Sequence, residues 1–377
     1  MIINVFPSLQ LIAYARIAQG ILYTIDLGRL KCTFLEGELG DTEFIQLIAK
    51  KISEIVLPTY CSTFSRLTAA RRKPEDVLIV HLPNEVKQQL RVTVIALGLE
   101  IKQWFESHRF IVIGDNYDLR NKLSWFSFGV IDRLKTARNF IRDEDIEVGK
   151  RFHLACEYCF EDDVKMLWRN MSTHEGSDVE RQLLRTRSTE LWFDTLLLNI
   201  PRNWDKILLN ERRNFFYGIY LGMRSVFALL RGPAMRYQCI YFALGSGVVH
   251  HYDLYSCICL LNSAELNYML TRLPTSEFCE LLTTFLQWPF QLMFIDIVND
   301  LKRHINKDIF HDGATCILCY KLGMEFYDHV YIGIFKRFWN LFSAKYEDDF
   351  KKEGKLYTLA NMYCISRKIM MQENIGI

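Results

Sequence analysis

The chain has 377 residues with 46 Lys+Arg against 44 Asp+Glu, a formal net charge of +2, and half of it is hydrophobic with 14% aromatic residues. Interspersed, nearly balanced charge lacks the domain-wide basic footprint of a nucleic-acid binder, and the apolar content excludes wholesale disorder. The length exceeds that at which one hydrophobic core stops growing, which predicts two domains or one elongated stack.

Taken in order, Ser8 reads as the N-cap of a first helix ending near Leu22, with Leu11, Ile12, Ala15, Ala18 and Leu22 at helical spacing. Met1 to Ala15 carries no charge, but no basic n-region precedes it and the amphipathic pattern continues past Arg16, so it reads as fold rather than secretory signal. Gly28, Gly37 and Gly40 mark a loop over 23–40. Asp41 caps a second helix holding Phe44, Leu47, Ile48, Ile52 and Ile55, stopped by Pro58. A third is expected from Tyr60 to Arg71, before the charged turn of Arg71-Arg72-Lys73 and Glu75-Asp76. The runs Val77–Leu82 and Phe110–Ile113 have no helical period and read as short strands or buried helix ends. Between them Asn84 opens a long helix through Val86, Leu90, Val94, Leu97, Ile101 and Phe105. Gly114-Asp115-Asn116 is a turn and a candidate boundary, followed by Trp125, Phe126 and Phe128.

From Asp143 the texture changes to helix-length segments without strand-like runs. They are expected over 148–160, 162–171, 178–198, 203–231, 237–249, 253–261, 264–273, 276–288, 290–304, 314–327, 330–345 and 356–371. Ser177 with Glu180 reads as a capping box, and Asn262 with Glu265 as a looser version of one. Pro201, Pro233, Pro274 and Pro289 fall between segments, where proline does not break a helix. No stretch reaches the roughly 18 uninterrupted apolar residues of a membrane-spanning helix. The nearest, 237–252 and 281–295, are broken by Gly245-Ser246-Gly247 with His250-His251 and by Pro289.

One passage repeats. Leu154-Ala155 with Tyr158-Cys159-Phe160, Val164 and Met166 recurs without a gap as Leu359-Ala360 with Tyr363-Cys364-Ile365, Ile369 and Met371. A small alanine on the inner face lets two helices approach, while Tyr and Cys fill the groove beside it. His153-Leu154-Ala155-Cys156, followed by Asp162, Val164, Lys165, Met166 and Leu167, resembles the ankyrin repeat, and Asp312-Gly313-Ala314-Thr315 is similar to the opening of an ankyrin unit. This sequence departs from the pattern where Cys159 stands in place of the turn glycine, where no Thr-Pro precedes Phe152, and in showing no 33-residue period. Phe6-Pro7-Ser8-Leu9-Gln10 and Phe152 to Trp168 also resemble the opening and mid-chain signature of an expanded group of arthropod, particularly spider, proteins built of divergent ankyrin-like units. The resemblance implies stacked helix pairs and carries no activity with it.

Few residues group in a way that suggests chemistry. Cys156-x-x-Cys159 and Cys316-x-x-Cys319 have zinc-knuckle spacing, but each lies in an apolar helical stripe and reads as core packing. The eleven cysteines, odd in number and mostly inside apolar patterns, fit reduced thiols in a cytoplasmic protein. His304, Asp308, His311 and Asp312 place polar ligands at helical spacing and are the candidate metal set, but they lie at a helix end before Gly313, where His and Asp act as caps, and that reading is preferred. His250-His251 with Asp253 is a second such group. No phosphate loop, nucleophile elbow, dinucleotide fingerprint or HExxH is present.

The sequence therefore predicts an all-α fold, a helical-repeat, ankyrin-like solenoid of stacked helix pairs with a few short strands in the N-terminal third. Residues 1–140 form a mainly helical region and 141–377 the repeat region, or both make one continuous unit. The expected function is a non-catalytic protein–protein interaction scaffold with an unidentified protein partner. It needs no cofactor, nucleic acid or membrane span. The alternative is a metal-dependent hydrolase using His304, Asp308, His311 and Asp312.

Overall fold

Amphipathic spacing becomes helix through most of the residues that a computed structural model of the chain describes: 8–24, 41–58, 79–109, 119–171, 187–198, 201–322, 329–352, 354 and 357–360. The chain divides into two compact units at Ile131/Asp132, so the helix straddling residue 140 belongs with the second.

In the unit Pro7–Ile131, α1 (Leu9–Tyr23) starts where Ser8 accepts a hydrogen bond from the Leu11 amide at 3.1 Å. Its buried Ala15 and Ala18 have no bulk beyond Cβ, which suits it to lie close against a long partner. That partner is α3 (Asn84–Ser107), reached after α2 (Asp41–Ser53); both α1 and α2 pack on it. The buried stripe of α3 is Leu90, Val94, Leu97, Ile101, Trp104 and Phe105, as its spacing predicts. A three-residue antiparallel pair, β1 (Val56–Pro58) with β2 (Ile79–His81), gives the run at Val77–Leu82 its strand. Gly129 takes φ +84° at a tight turn, and a Cβ there would sit 2.6 Å from Leu97 Cδ1. The turn brings Trp125 opposite Ile131, and the Trp125 indole donates to the Tyr23 hydroxyl at 2.9 Å. The expected helix at Tyr60–Arg71, the run Phe110–Ile113 and the turn at Gly114 lie outside the described residues, as do the Ser177/Glu180 box and most of the second copy of the repeated passage.

The second unit opens with α4 (Arg133–Ile141), capped by Asp132. Next come α5 (Val148–Glu157), α6 (Glu161–Asn170) and α7 (Arg187–Leu198), then α8 (Trp204–Glu211), α9 (Phe215–Ile219) and α10 (Met223–Phe227). They are followed by α11 (Pro233–Ser246), α12 (His251–Cys259), α13 (Ser263–Leu270), α14 (Thr275–Phe285), α15 (Phe294–Leu301), α16 (Lys307–Thr315) and α17 (His329–Lys351). The Asn262/Glu265 capping box forms fully: Asn262 Oδ1 accepts from the Glu265 amide, and Glu265 Oε2 accepts from the Asn262 amide, both at 3.0 Å.

Two predicted helices are reshaped. The single helix expected over 203–231 is three helices separated by 3₁₀ turns, and the first break falls where Arg212 adopts φ +50° and ends α8. The helix expected over 314–327 begins earlier, at Lys307, where Asn306 Oδ1 caps the Ile309 amide at 2.9 Å. Ala314 is thus in its last turn, a π-helical turn follows at Cys316–Lys321, and Asp312-Gly313 lies within a helix rather than opening one. Gly313 is packed against the Phe338 ring there, 3.1 Å from where a Cβ would stand.

Helices two apart in sequence pack on one another: α10 on α12, α12 on α14, α14 on α16, and likewise α11 on α13 and α15 on α17. Hydrogen bonds and ion pairs join several of these neighbouring elements. Arg224–Asp253 and Arg236–Glu265 span 29 residues, Cys279–Asp312 and Thr283–Cys316 span 33, and Gln287–Lys321 spans 34. Tyr237–Arg272 spans 35, Asn267–Arg303 spans 36, and His251–Trp288 spans 37. Among the described residues no single helix is long and apolar enough to cross a membrane; Thr275–Phe285 and the following 290–304 segment are bent by 105° at Pro289.

Candidate functional site

Between α5 and α6 the chain turns in three residues, Tyr158 to Phe160. Tyr158 caps α5, Cys159 takes φ +53°, the Phe160 amide donates to the Ala155 carbonyl at 3.0 Å and the Cys159 amide to the Cys156 carbonyl at 3.1 Å. That is the Schellman arrangement, in which the left-handed residue is usually glycine. Cys159 occupies the turn position noted in the sequence, and its side chain fills the space beside Gly222. Burial pushes both the Cys156 and Cys159 thiols well up, so they are neutral packing groups, and Trp192 donates its indole N–H to the Cys156 carbonyl at 3.3 Å. The buried Glu157 carboxylate accepts from the Ser188 hydroxyl and contacts His153 Nε2 at 3.2 Å.

The set at 304–312 does not converge: His304, Asp308, His311 and Asp312 do not bring three ligand atoms within 4.8 Å of one another. His304 Nε2 accepts from Arg303 Nε at 3.0 Å, while Asp312 faces the neighbouring α14 and accepts from Cys279 Sγ at 3.4 Å. Burial and that carboxylate push the Cys279 thiol up to about 12. The helix-end reading of this set is also corrected for His311 and Asp312, which lie inside α16.

His250, His251 and Asp253 instead enter a buried polar corner at the start of α12. His250 is the N-cap, its Nδ1 accepting from the Tyr252 amide at 3.3 Å, and His251 Nε2 donates to the Trp288 carbonyl at 2.7 Å. Asp253 is buried and faces Arg224, whose Nη1 lies 3.5 Å from it and 3.8 Å from Asp132. Arg224 therefore ties the first turn of α12 to the N-cap of α4. Burial, then the Arg133 and Arg224 guanidiniums, hold the His250 imidazole well below its ordinary value of 6.5. The corner has a testable consequence. Below pH 6.5 the unfolded chain binds a proton at His250 that the folded protein refuses, so stability falls as pH drops through that value, with a limiting slope of about 1.4 kcal/mol per pH unit. His250→Asn preserves a capping oxygen without a titrating ring, and denaturant titrations across pH 5 to 7 are expected to show a shallower fall for the variant.

A different set of residues is defined by exposure. Met166, Leu197, Leu229, Leu260 and Leu292 are large apolar side chains left 38–63% exposed. They follow one another every 31 or 32 residues, close to the separation between packed layers. Leu197 lies in the last turn of α7, Leu229 just after α10, Leu260 at the cap of α12, and Leu292 in the 3₁₀ turn after α14. Leu209, Val248 and Tyr320 are exposed outside this spacing. Sequence reasoning missed the set because an exposed leucine and a core leucine read alike until burial separates them. No protein-family model matches the chain, and no curated protein matches it.

Proposed function

We propose that the chain is a non-catalytic protein-interaction scaffold of helical-repeat, ankyrin-like type, whose second unit stacks helix pairs and offers one exposed apolar residue per layer to another protein. The observation that carries this reading is the agreement of two spacings. Exposed large apolar residues recur at 31 or 32 residues, and several of the side-chain contacts between packed helices join residues 29 to 37 apart. Apolar side chains repeated at the spacing of the packed helices supply regularly placed contact points for a partner. The buried free thiols of Cys156, Cys159, Cys239 and Cys257 support an intracellular setting.

The test is a charged triple variant, Leu197→Asp, Leu229→Asp and Leu260→Asp, assayed by affinity capture and cross-linking from cells of the source organism. Each half-exposed leucine contributes about 1 kcal/mol to a covered interface, so the triple is expected to weaken capture roughly a hundredfold while circular dichroism and thermal unfolding stay unchanged. Undiminished capture by the folded triple variant, or no discrete partner for the wild-type chain, would sink the reading.

A further inference from the structure

Along α11, α13 and the end of α15, tyrosine and arginine side chains interlock at the surface. Tyr237 stacks with Tyr241 at 6.0 Å between ring centroids and meets Tyr268 edge-on at 5.8 Å. The Tyr237 hydroxyl donates to the Arg272 carbonyl at 3.1 Å, and the Arg272 guanidinium sits 4.0 Å above the Tyr268 ring. Beside Tyr268 on α13, Asn267 Oδ1 accepts from Arg303 Nη2 at 2.9 Å. These contacts hold long side chains in place before any partner arrives, which removes part of the ordering cost of binding. Tyrosine and arginine are also the residue types that dominate binding hot spots.

Charge selects the partner. The two acids beneath the patch are withdrawn from the surface: Glu265 is buried against Arg236 and within its capping box, and Glu277 is buried with the Ser276 hydroxyl on its carboxylate. At the margin Lys302 and Asp300 are both exposed and offset one another. The exposed charge of the patch itself is that of Arg272 and Arg303.

We propose that this face docks an acidic segment of a partner protein, with carboxylates on Arg272 and Arg303 and its apolar parts on Tyr237, Tyr241 and Tyr268. This rests on the scaffold reading and names the chemistry of a partner. The probe is a fluorescein-labelled peptide of about a dozen residues mixing glutamate and leucine, titrated into the full chain by anisotropy. Its lysine-for-glutamate counterpart and a labelled oligouridine serve as comparisons.

The acidic peptide is expected to bind, to weaken as salt rises, and to lose roughly tenfold or more in affinity in Arg272→Glu/Arg303→Glu. Arg272→Lys/Arg303→Lys is expected to retain part of the binding, which separates lost charge from misfolding. Equal binding of the lysine peptide, or no loss in the charge-reversed variant with unchanged thermal unfolding, overturns the proposal. Arginine-dependent binding of the oligouridine in preference to the acidic peptide also overturns it, by assigning the face to nucleic acid. The leucine triple variant keeps the two readings apart. It is expected to bind the acidic peptide normally, so loss of one reading leaves a distinct result for the other.

Discussion

Arg224→Met is expected to destabilise the second unit by about 3–5 kcal/mol, read as a lowered denaturant midpoint at pH 7. The guanidinium faces the buried Asp253 carboxylate at 3.5 Å, and its contact to Asp132 at 3.8 Å links two helix starts. Methionine keeps much of the aliphatic stem but takes the guanidinium away from a buried carboxylate, and truncating one member of a buried ion pair costs more than the net worth of the pair. The double variant Arg224→Met/Asp253→Asn removes both charges and is expected to recover a large part of the loss. If the single variant cost less than about 1 kcal/mol, the pair would be no more than a surface contact.

Much of the helical pattern was legible in the sequence, because one-sided apolar stripes have few ways to be buried. Leu90 to Phe105 became the buried face of α3, and Asn262 with Glu265 formed its capping box. The misses have local causes. Nothing in the composition of 203–231 warns that Arg212 turns left-handed, since a helix pattern records which residues are apolar and not where the backbone bends. At 307–321 the glycine of Asp312-Gly313 reads in sequence as a helix boundary. In the fold it lets the Phe338 ring approach α16, a role that depends on a helix not adjacent in sequence.

The candidate site was less legible still. Of the two histidine groups, the one at 304–312 has regular spacing but its side chains turn to separate neighbours, whereas His250-His251 with Asp253 joins a polar corner whose organising cation, Arg224, is distant in sequence. The contacts between helices two apart were hidden for a related reason: those joining Arg224 to Asp253, Cys279 to Asp312 and His251 to Trp288 span 29, 33 and 37 residues, so no fixed period in the letters marks them.

Gly222→Ala tests the other close approach that the sequence did not reveal. Gly222 has an ordinary φ of −84°, so the requirement is one of space and not of backbone freedom. A Cβ there would stand 2.6 Å from Cys159 Sγ and 2.9 Å from the Glu157 carbonyl oxygen, below any real packing distance. The methyl must push the α5–α6 turn away from the 3₁₀ turn that carries Gly222, and overpacking of this kind costs about 1–3 kcal/mol, with the backbone oxygen placing it at the upper end. Cys159→Gly alone is expected to be close to neutral: it relieves a left-handed residue by roughly 1 kcal/mol and forfeits a similar amount of buried sulfur packing. In the Gly222→Ala background the same change also opens the space that the methyl needs, so the double variant is expected to be more stable than the sum of the singles by about 1 kcal/mol. Additive thermal or denaturant midpoints would mean that the carbonyl contact alone sets the cost and that Cys159 adapts freely. A favourable coupling would show that the unusual left-handed cysteine and the small residue facing it are one packing unit, holding the first helix pair of the second unit against the segment that follows it.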